Sequence, residues 1–324
     1  MIINLLISIV IFALIIWYIG YEQIVEALSK ANLAFIGAAI VLYIILNIIM
    51  SFRIKIILEK LGNKLNVLDI APSSLAGLLA SDFTPARVGY FFSAFSLSSK
   101  FNIEIEKTIM SIFGPQLFDF LIKIVSAAIL IIWLTKGAGV VSYLIIAIAF
   151  LGIIFVSLLL FYPPLLDWLK IFNFIPFFEK GINLIKKMQI HSEIILSVKF
   201  KIIAITLCSW FVKGIEWLFL AKSLGINLSS NIFEEIFIML IFQAAITIVQ
   251  FIPLPTVAGA GASEAAFASV LYFFGVSAEK AIVFGFLTRL VMLTIDLFSL
   301  PILIEYLNKH NFENTLGELN NIKK

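Results

Sequence analysis

Cysteine and histidine are nearly absent from this chain, and their scarcity removes whole classes of function. The single cysteine of the 324 residues, Cys208, lies inside an apolar segment, so disulfide frameworks and cysteine metal clusters are excluded. The two histidines, His191 and His310, sit in polar flanks, which argues against a histidine metal site within the apolar segments. Charge is scarce too: Asp, Glu, Lys and Arg make up 13% of the residues, and the formal net charge is +3. No stretch is polar and long enough to hold a separate soluble domain. No nucleotide-binding motif is present, no cofactor is expected, and no nucleic-acid partner is expected.

What fills the chain is apolar. Hydrophobic residues make up 62% of it, and the mean hydropathy is +1.10. A soluble domain of this size would have to hide nearly two-thirds of its residues, which surface-to-volume scaling does not allow. The expected fold is all-α: a polytopic membrane protein forming a single transmembrane domain over 1–324. Six segments are long enough to cross a bilayer, at about 2–20, 33–57, 107–135, 139–161, 199–222 and 280–305. The first has no basic flank and no small-residue cleavage site, so it is read as a retained span rather than a signal peptide.

Two further apolar regions, about 67–100 and 232–276, are interrupted by Pro, Gly and charge. Each is expected to form a re-entrant pair of half-helices. The more informative interruption runs Phe251-Ile252-Pro253-Leu254-Pro255-Thr256-Val257-Ala258-Gly259-Ala260-Gly261-Ala262-Ser263-Glu264. Two prolines break a helix there, the glycines let the backbone turn, and a new helix starts near Ser263. Within a bilayer, such backbone survives only when it is buried in protein or lines a wet cavity, and broken helices are how transporters build midplane sites.

Lysine and arginine are distributed unevenly. With the amino terminus inside, Arg53, Lys55, Lys60, Lys64, Lys100, Lys107, Lys170, Lys180, Lys186, Lys187, Lys199, Lys201, Lys309, Lys323 and Lys324 fall on the cytoplasmic side. Only Lys30, Lys136, Lys222 and Lys280 fall opposite. The expectation is a multi-pass cell-membrane protein with both termini cytoplasmic. Aromatic residues and lysines mix between Leu165 and Ile190, which suits helices lying in the interface or a connector resting on the bilayer.

The order of features repeats. Leu58-Glu59-Lys60-Leu61-Gly62-Asn63-Lys64-Leu65-Asn66 corresponds to Leu220-Ala221-Lys222-Ser223-Leu224-Gly225-Ile226-Asn227-Leu228-Ser229. Each follows a long helix and precedes a half-helix, a proline break (Pro85; Pro253 and Pro255), a second half-helix and a long helix bearing an acid (Asp119; Asp296). Repeat one covers about 33–135, a connector about 139–198, and repeat two about 199–305. An odd number of crossings separates equivalent points, so the repeats are expected to be inverted.

Charges within spans are costly and mark candidate sites. The basic ones are Arg87, Lys123, Lys213 and Arg289; the acidic ones are Asp82, Asp119, Glu216, Glu264 and Asp296. Helical spacing pairs Lys213 with Glu216 and Asp119 with Lys123, the latter just after a kink expected at Gly114-Pro115. Arg289 and Asp296 are seven apart, about two turns, so each needs another partner. Arg289 suits an anion, or pairs with Glu264. Arg87 beside the first break suits an anion, or clasps Asp82. Glu264 caps a helix start, or gates and couples. The candidate substrate-binding set is Arg87, Asp119, Gly259, Gly261, Glu264, Arg289 and Asp296.

Asp82-Phe83-Thr84-Pro85-Ala86-Arg87-Val88-Gly89, Leu117-Phe118-Asp119, the Pro253–Pro255 to Glu264 block and Arg289 together carry a resemblance. Over roughly 5–305 the chain resembles the lysylphosphatidylglycerol synthase transmembrane-region family, also called flippase-like or UPF0104 membrane proteins. That resemblance implies movement of lipid headgroups between leaflets: aminoacylated phosphatidylglycerol in some members, other anionic or isoprenoid lipids in others. The chain departs from the family pattern at Tyr90, Ser93 and Pro115-Gln116, so substrate identity does not carry over. Synthase members add a soluble catalytic domain that 1–324 lacks, so no enzyme activity is expected. Membrane lipids are the expected partners, with a separate lipid-modifying enzyme as a conceivable protein partner. The competing expectations are an ion or small-solute transporter of the same architecture, and a membrane-embedded lipid transferase or phosphatase.

Overall fold

A computed structural model describes residues 21–134, 139–169, 171, 178–249 and 262–309. Every element among the described residues is helical. The first group comprises α1 (Tyr21–Ser29), α2 (Leu33–Lys60), α3 (Val67–Asp82), a 3-10 turn (Pro85–Tyr90), α4 (Phe91–Phe101), α5 (Ile105–Phe113) and α6 (Gln116–Leu134). Then come α7 (Val140–Phe161), α8 (Pro163–Leu169), α9 (Phe178–Ile190) and α10 (Ser192–Ser197). The last group is α11 (Lys199–Ser223), α12 (Ile232–Val249), α13 (Ala262–Phe273), α14 (Ala278–Asp296), a 3-10 turn (Leu297–Ser299) and α15 (Leu300–Lys309).

Local chemistry sets the helix ends. Asn32 opens α2 by accepting a hydrogen bond from the Ala34 amide at 3.0 Å. Asn66 and Asp69 form a reciprocal capping box at the start of α3. α2 and α11 stop in the same way, each with a left-handed glycine. Gly62 (φ +85°) and Gly225 (φ +64°) donate to Glu59 and Lys222, while Asn63 and Ile226 reach back to Leu58 and Ala221. This is the Schellman stop, in which glycine avoids a Cβ penalty. α4 and α13 also end alike, at left-handed Asn102 (φ +53°) and Gly275 (φ +74°). The stops of α2 and α4 thus have counterparts in those of α11 and α13.

Among the described residues, four helices or helix runs are long and apolar enough to cross a membrane: Leu33–Lys60, Ile105–Trp133, Lys199–Ser223 and Ala278–Tyr306. A fifth arises if Phe150–Phe161 and Pro163–Leu169, bent by 102° at the break between them, count as one span. The expected span at 139–161 coincides with the continuous helix α7, Val140–Phe161, and the expected span at 2–20 lies outside the described residues. The kink at Gly114-Pro115 is present as the break between α5 and α6. Large apolar side chains such as Val41, Ile45 and Ile48 cover the outer face of α2 and are exposed. Such a face suits contact with lipid tails.

The first interrupted region, expected over 67–100, is a helical hairpin. The Ser96 hydroxyl donates to Ser73 Oγ at 3.0 Å, and the Ser93 hydroxyl lies near the Ser74 carbonyl at 3.4 Å. A methyl group added at Gly89 would meet the Ala80 carbonyl oxygen at 2.2 Å. Contact positions descend along α4 as they ascend along α3, so the two helices run antiparallel on small residues that allow close approach. α3 has 16 residues and α4 has 11, about 24 and 17 Å of helix, each short of a hydrocarbon core of about 30 Å. The second interrupted region has α12 and α13 on either side, and its break at 250–261 lies outside the described residues.

Two apolar cores hold the groups together. One joins Ile54, Leu58, Leu97, Met110, Ile195 and Ile202. The other is built around Trp217, Phe242, Phe267 and Phe284, whose rings contact at centroid distances of 5.1–6.3 Å. α2 packs along α11, and α6 along α12, so the two groups meet face to face. The charged residues gather at that seam.

Candidate functional site: a charged cavity at the seam

A cavity of about 190 Å³ opens between α2, α3 with its 3-10 turn, α6, α11 and α12. Helical periodicity builds its walls. On α2 the lining positions are Tyr43, Leu46, Asn47 and Met50; on α11 they are Thr206, Ser209, Trp210, Lys213 and Trp217. Spacings of three, four and seven place each set on one helical face. Arg87 and Tyr90 enter from the first break, Asp119 and Lys123 from α6, and Gln243 and Thr247 from α12.

Arg87 holds an unusual backbone position. Its φ is +56°, a left-handed conformation that costs a non-glycine residue about 1–2 kcal/mol. The Thr84 hydroxyl accepts from the Gly89 amide at 2.7 Å and steadies the turn. The guanidinium contacts the Ser81 hydroxyl at 3.2 Å and pairs with Asp82 at 3.2 Å. The Asp82 clasp raised by the sequence is therefore formed, and it leaves Arg87 on the cavity wall. Backbone strain of this kind makes the turn a candidate for function.

Asp119 has a different partner from the one expected. Its carboxylate takes a two-pronged contact from Arg53, Nη1 to Oδ1 at 2.7 Å and Nη2 to Oδ2 at 2.9 Å, and Arg53 Nη1 also donates to Thr206 Oγ1 at 2.9 Å. Arg53 is only 2% exposed, which corrects its placement among cytoplasmic charges. The physical reason is that α2 continues to Lys60, so Arg53 lies two turns inside the helix end and turns inward. Lys123, one turn beyond Asp119, stays within its electrostatic reach and rests over the Phe120 ring at 5.4 Å.

The Lys213–Glu216 pair is formed as expected, at 2.9 and 2.8 Å, with Glu216 fully buried. The Lys213 ammonium also lies over the Tyr43 ring at 4.9 Å. The Tyr43 hydroxyl donates to both oxygens of Asp296, at 3.0 and 3.1 Å. Asp296 thus touches the site through Tyr43 without lining the cavity. Arg289 lies within electrostatic reach of Asp82.

Of the candidate residues, then, Arg87 and Asp119 share the cavity, Asp296 adjoins it and Arg289 lies within electrostatic reach of Asp82. Gly259, Gly261 and the side chain of Glu264 lie outside the described residues. Sequence reasoning missed Arg53, Tyr43, Asn47, Thr206, Ser209 and Gln243. One signal was available: small and polar residues recurring on one face of an otherwise apolar α11. Two indole N–H groups on that face, Trp210 and Trp217, have no hydrogen-bond partner among the described residues, nor does Arg53 Nε.

Around the seam, five cations (Arg53, Arg87, Lys123, Lys213 and Arg289) face four carboxylates (Asp82, Asp119, Glu216 and Asp296) among the described residues. The same arginine-bearing break and acid-bearing helices fall within a family model described as lysylphosphatidylglycerol synthase TM region, which matches residues 1–298. The chain belongs to that family. Membership and its long apolar helices make it an all-helical membrane protein of a lipid-related family. No curated protein and no solved structure matches the chain. Within this lysylphosphatidylglycerol synthase TM-region protein, the seam cavity brings Arg87, Asp119, Lys123 and Lys213 to one space among the described residues.

Proposed function

We propose that the protein is a lipid translocase that passes an anionic or aminoacylated phospholipid, or an isoprenoid phosphate, between leaflets without chemical change. The observation that carries this reading is the seam cavity, walled by both helix groups and lined by Arg87, Lys123 and Lys213. Its volume suits a headgroup rather than a whole lipid, so acyl tails would remain outside against the apolar faces. Arg87 offers hydrogen bonds to phosphate oxygens, and Asp119 meets a cationic substituent.

The fold reading that accompanies it is a pair of inverted repeats, α2–α6 and α11–α15, each with a re-entrant hairpin. Matched terminators and the antiparallel α3–α4 hairpin, too short to cross, support this arrangement. Alternating access then amounts to rocking one repeat against the other around the fixed cavity. The expected setting is the cell membrane with both termini cytoplasmic, and a lipid-modifying enzyme is the expected functional neighbour.

The test is reconstitution into phosphatidylcholine vesicles carrying tail-labelled phosphatidylglycerol or, separately, labelled phosphatidylcholine, with leaflet exchange read by surface quenching. Faster exchange of the anionic probe than of the zwitterionic one is expected. Flux of small anions or cations without exchange of either lipid would replace this reading with a solute transporter.

A further inference from the structure

We propose that Asp296 is a proton-binding site and that the protein carries a proton with each anionic headgroup it moves. The inference rests on the translocase reading and adds its driving force. Asp296 closes α14 where a 3-10 turn over Leu297–Ser299 interrupts the helix run. Its side chain is fully buried, and its hydrogen-bond partner is a neutral group, the Tyr43 hydroxyl. Among the described residues no lysine or arginine nitrogen lies within 4 Å of it.

The charges facing Asp296 come from each neighbouring element. Asp82 on α3 repels it; Arg87 on the first 3-10 turn and Lys213 on α11 attract it from a distance. Both cations are already engaged: Arg87 pairs with Asp82 at 3.2 Å, and Lys213 with Glu216 at 2.8 Å. Arg289 on the same helix is about two turns away and acts on Asp82. Glu264 on α13 has its side chain outside the described residues. Burying an ionised carboxylate against a neutral hydroxyl is costly, and two neighbouring acids seldom ionise together. The Asp82–Asp296 pair is therefore built to take up a proton.

Tyr43 links this pair to the cavity. Its ring lines the cavity and receives the Lys213 ammonium at 4.9 Å, while its hydroxyl holds Asp296. An anionic headgroup draws Arg87 and Lys213 toward its phosphate and weakens their hold on Asp82 and Asp296. One proton then leaves water and bonds to a carboxylate oxygen of Asp296; no other covalent bond changes. When the headgroup departs, the cations return and the proton leaves to the water on that side. Anion and proton each favour the binding of the other, as linkage requires.

The experiment uses full-length protein in phosphatidylcholine vesicles containing tail-labelled phosphatidylglycerol, with a pH gradient and the membrane potential clamped at zero. One proton per singly charged lipid predicts accumulation in the leaflet facing the alkaline side, approaching about tenfold per pH unit. For Asp296→Asn, whatever exchange remains should reach an even distribution at every gradient. In parallel, with the protein in lightly buffered detergent at a pH alkaline enough to ionise Asp296 at rest, adding dioctanoyl phosphatidylglycerol should cause proton uptake by wild type and none by Asp296→Asn. Tyr43→Phe, which keeps the ring, should shift the pH at which that uptake is half-maximal. Brisk exchange with an even distribution in wild type overturns the proposal and leaves the translocase standing. Proton uptake by Asp296→Asn equal to wild type also overturns it. Absence of exchange for any lipid sinks the translocase reading, and this proposal with it.

Discussion

Arg53→Met tests whether the buried contact behind the cavity holds three helices in register. In the folded protein Arg53 is 2% exposed and makes three charge-assisted hydrogen bonds, two to Asp119 and one to Thr206, at 2.7–2.9 Å. Removing it strands a largely buried carboxylate, and loss of one partner of a buried pair costs about 3–5 kcal/mol. Replacing both partners with apolar residues of similar volume behaves differently, because no charge remains to be desolvated. The double variant Arg53→Met/Asp119→Leu should therefore recover most of that loss, ending within about 1–2 kcal/mol of wild type, even though Asp119→Leu alone strands Arg53. Equilibrium unfolding of the purified protein in mixed micelles measures all four members of the cycle. Additive losses would show that the two side chains do not pair in the folded state, and the account of Asp119 would fail. Transport separates a second role: the stable double variant should exchange lipid slowly, since Asp119 also lines the cavity.

Other substitutions probe the same frame. Gly89→Ala places a methyl group 2.2 Å from the Ala80 carbonyl oxygen, so it should destabilise by about 1–3 kcal/mol in the same unfolding measurement. Gly37→Ala, with open space around the added carbon in α2, should instead stabilise by about 0.5–1 kcal/mol. Lys213→Ala strands fully buried Glu216 and should cost about 3–5 kcal/mol, largely recovered when Glu216→Leu is added; a thermal-shift series reads the order of the three variants. Gly225→Ala forces a Cβ into a φ of +64° and should lower stability by about 1 kcal/mol, seen as a lower melting temperature.

Local features were legible in the sequence because their causes are local. Gly62 and Gly225 announce helix stops, Gly114-Pro115 announces the break between α5 and α6, and Lys213 announces Glu216 one turn along its own helix. The candidate site was legible only at its charged edge. Arg53 and Asp119 lie 66 residues apart, and Tyr43 and Asp296 lie 253 apart, so only the packing of α2 against α6, α11 and α14 brings them together. Arg53 was misplaced for a related reason. A basic residue near the end of an apolar run has the pattern of a cytoplasmic flank, and nothing in its own neighbourhood distinguishes a buried guanidinium that has found a carboxylate elsewhere. Lys123 was the nearest cation to Asp119 along the chain, yet the two-pronged geometry belongs to arginine, whose planar fork matches both carboxylate oxygens.

Adjacent residues of α11 provide a contrast that tests whether a headgroup passes through the seam cavity. Ser209 is buried and lines the cavity, while Cys208 beside it is exposed on the outer face. Ser209→Phe fills much of a space of about 190 Å³, whereas Cys208→Phe adds the same ring toward lipid. The measurement is the rate of tail-labelled phosphatidylglycerol exchange per folded protein in vesicles for wild type and both variants. Ser209→Phe should lose at least about tenfold, and Cys208→Phe should keep a near wild-type rate. Equal rates for Ser209→Phe and wild type would contradict this route, because the headgroup would then be crossing somewhere other than the seam.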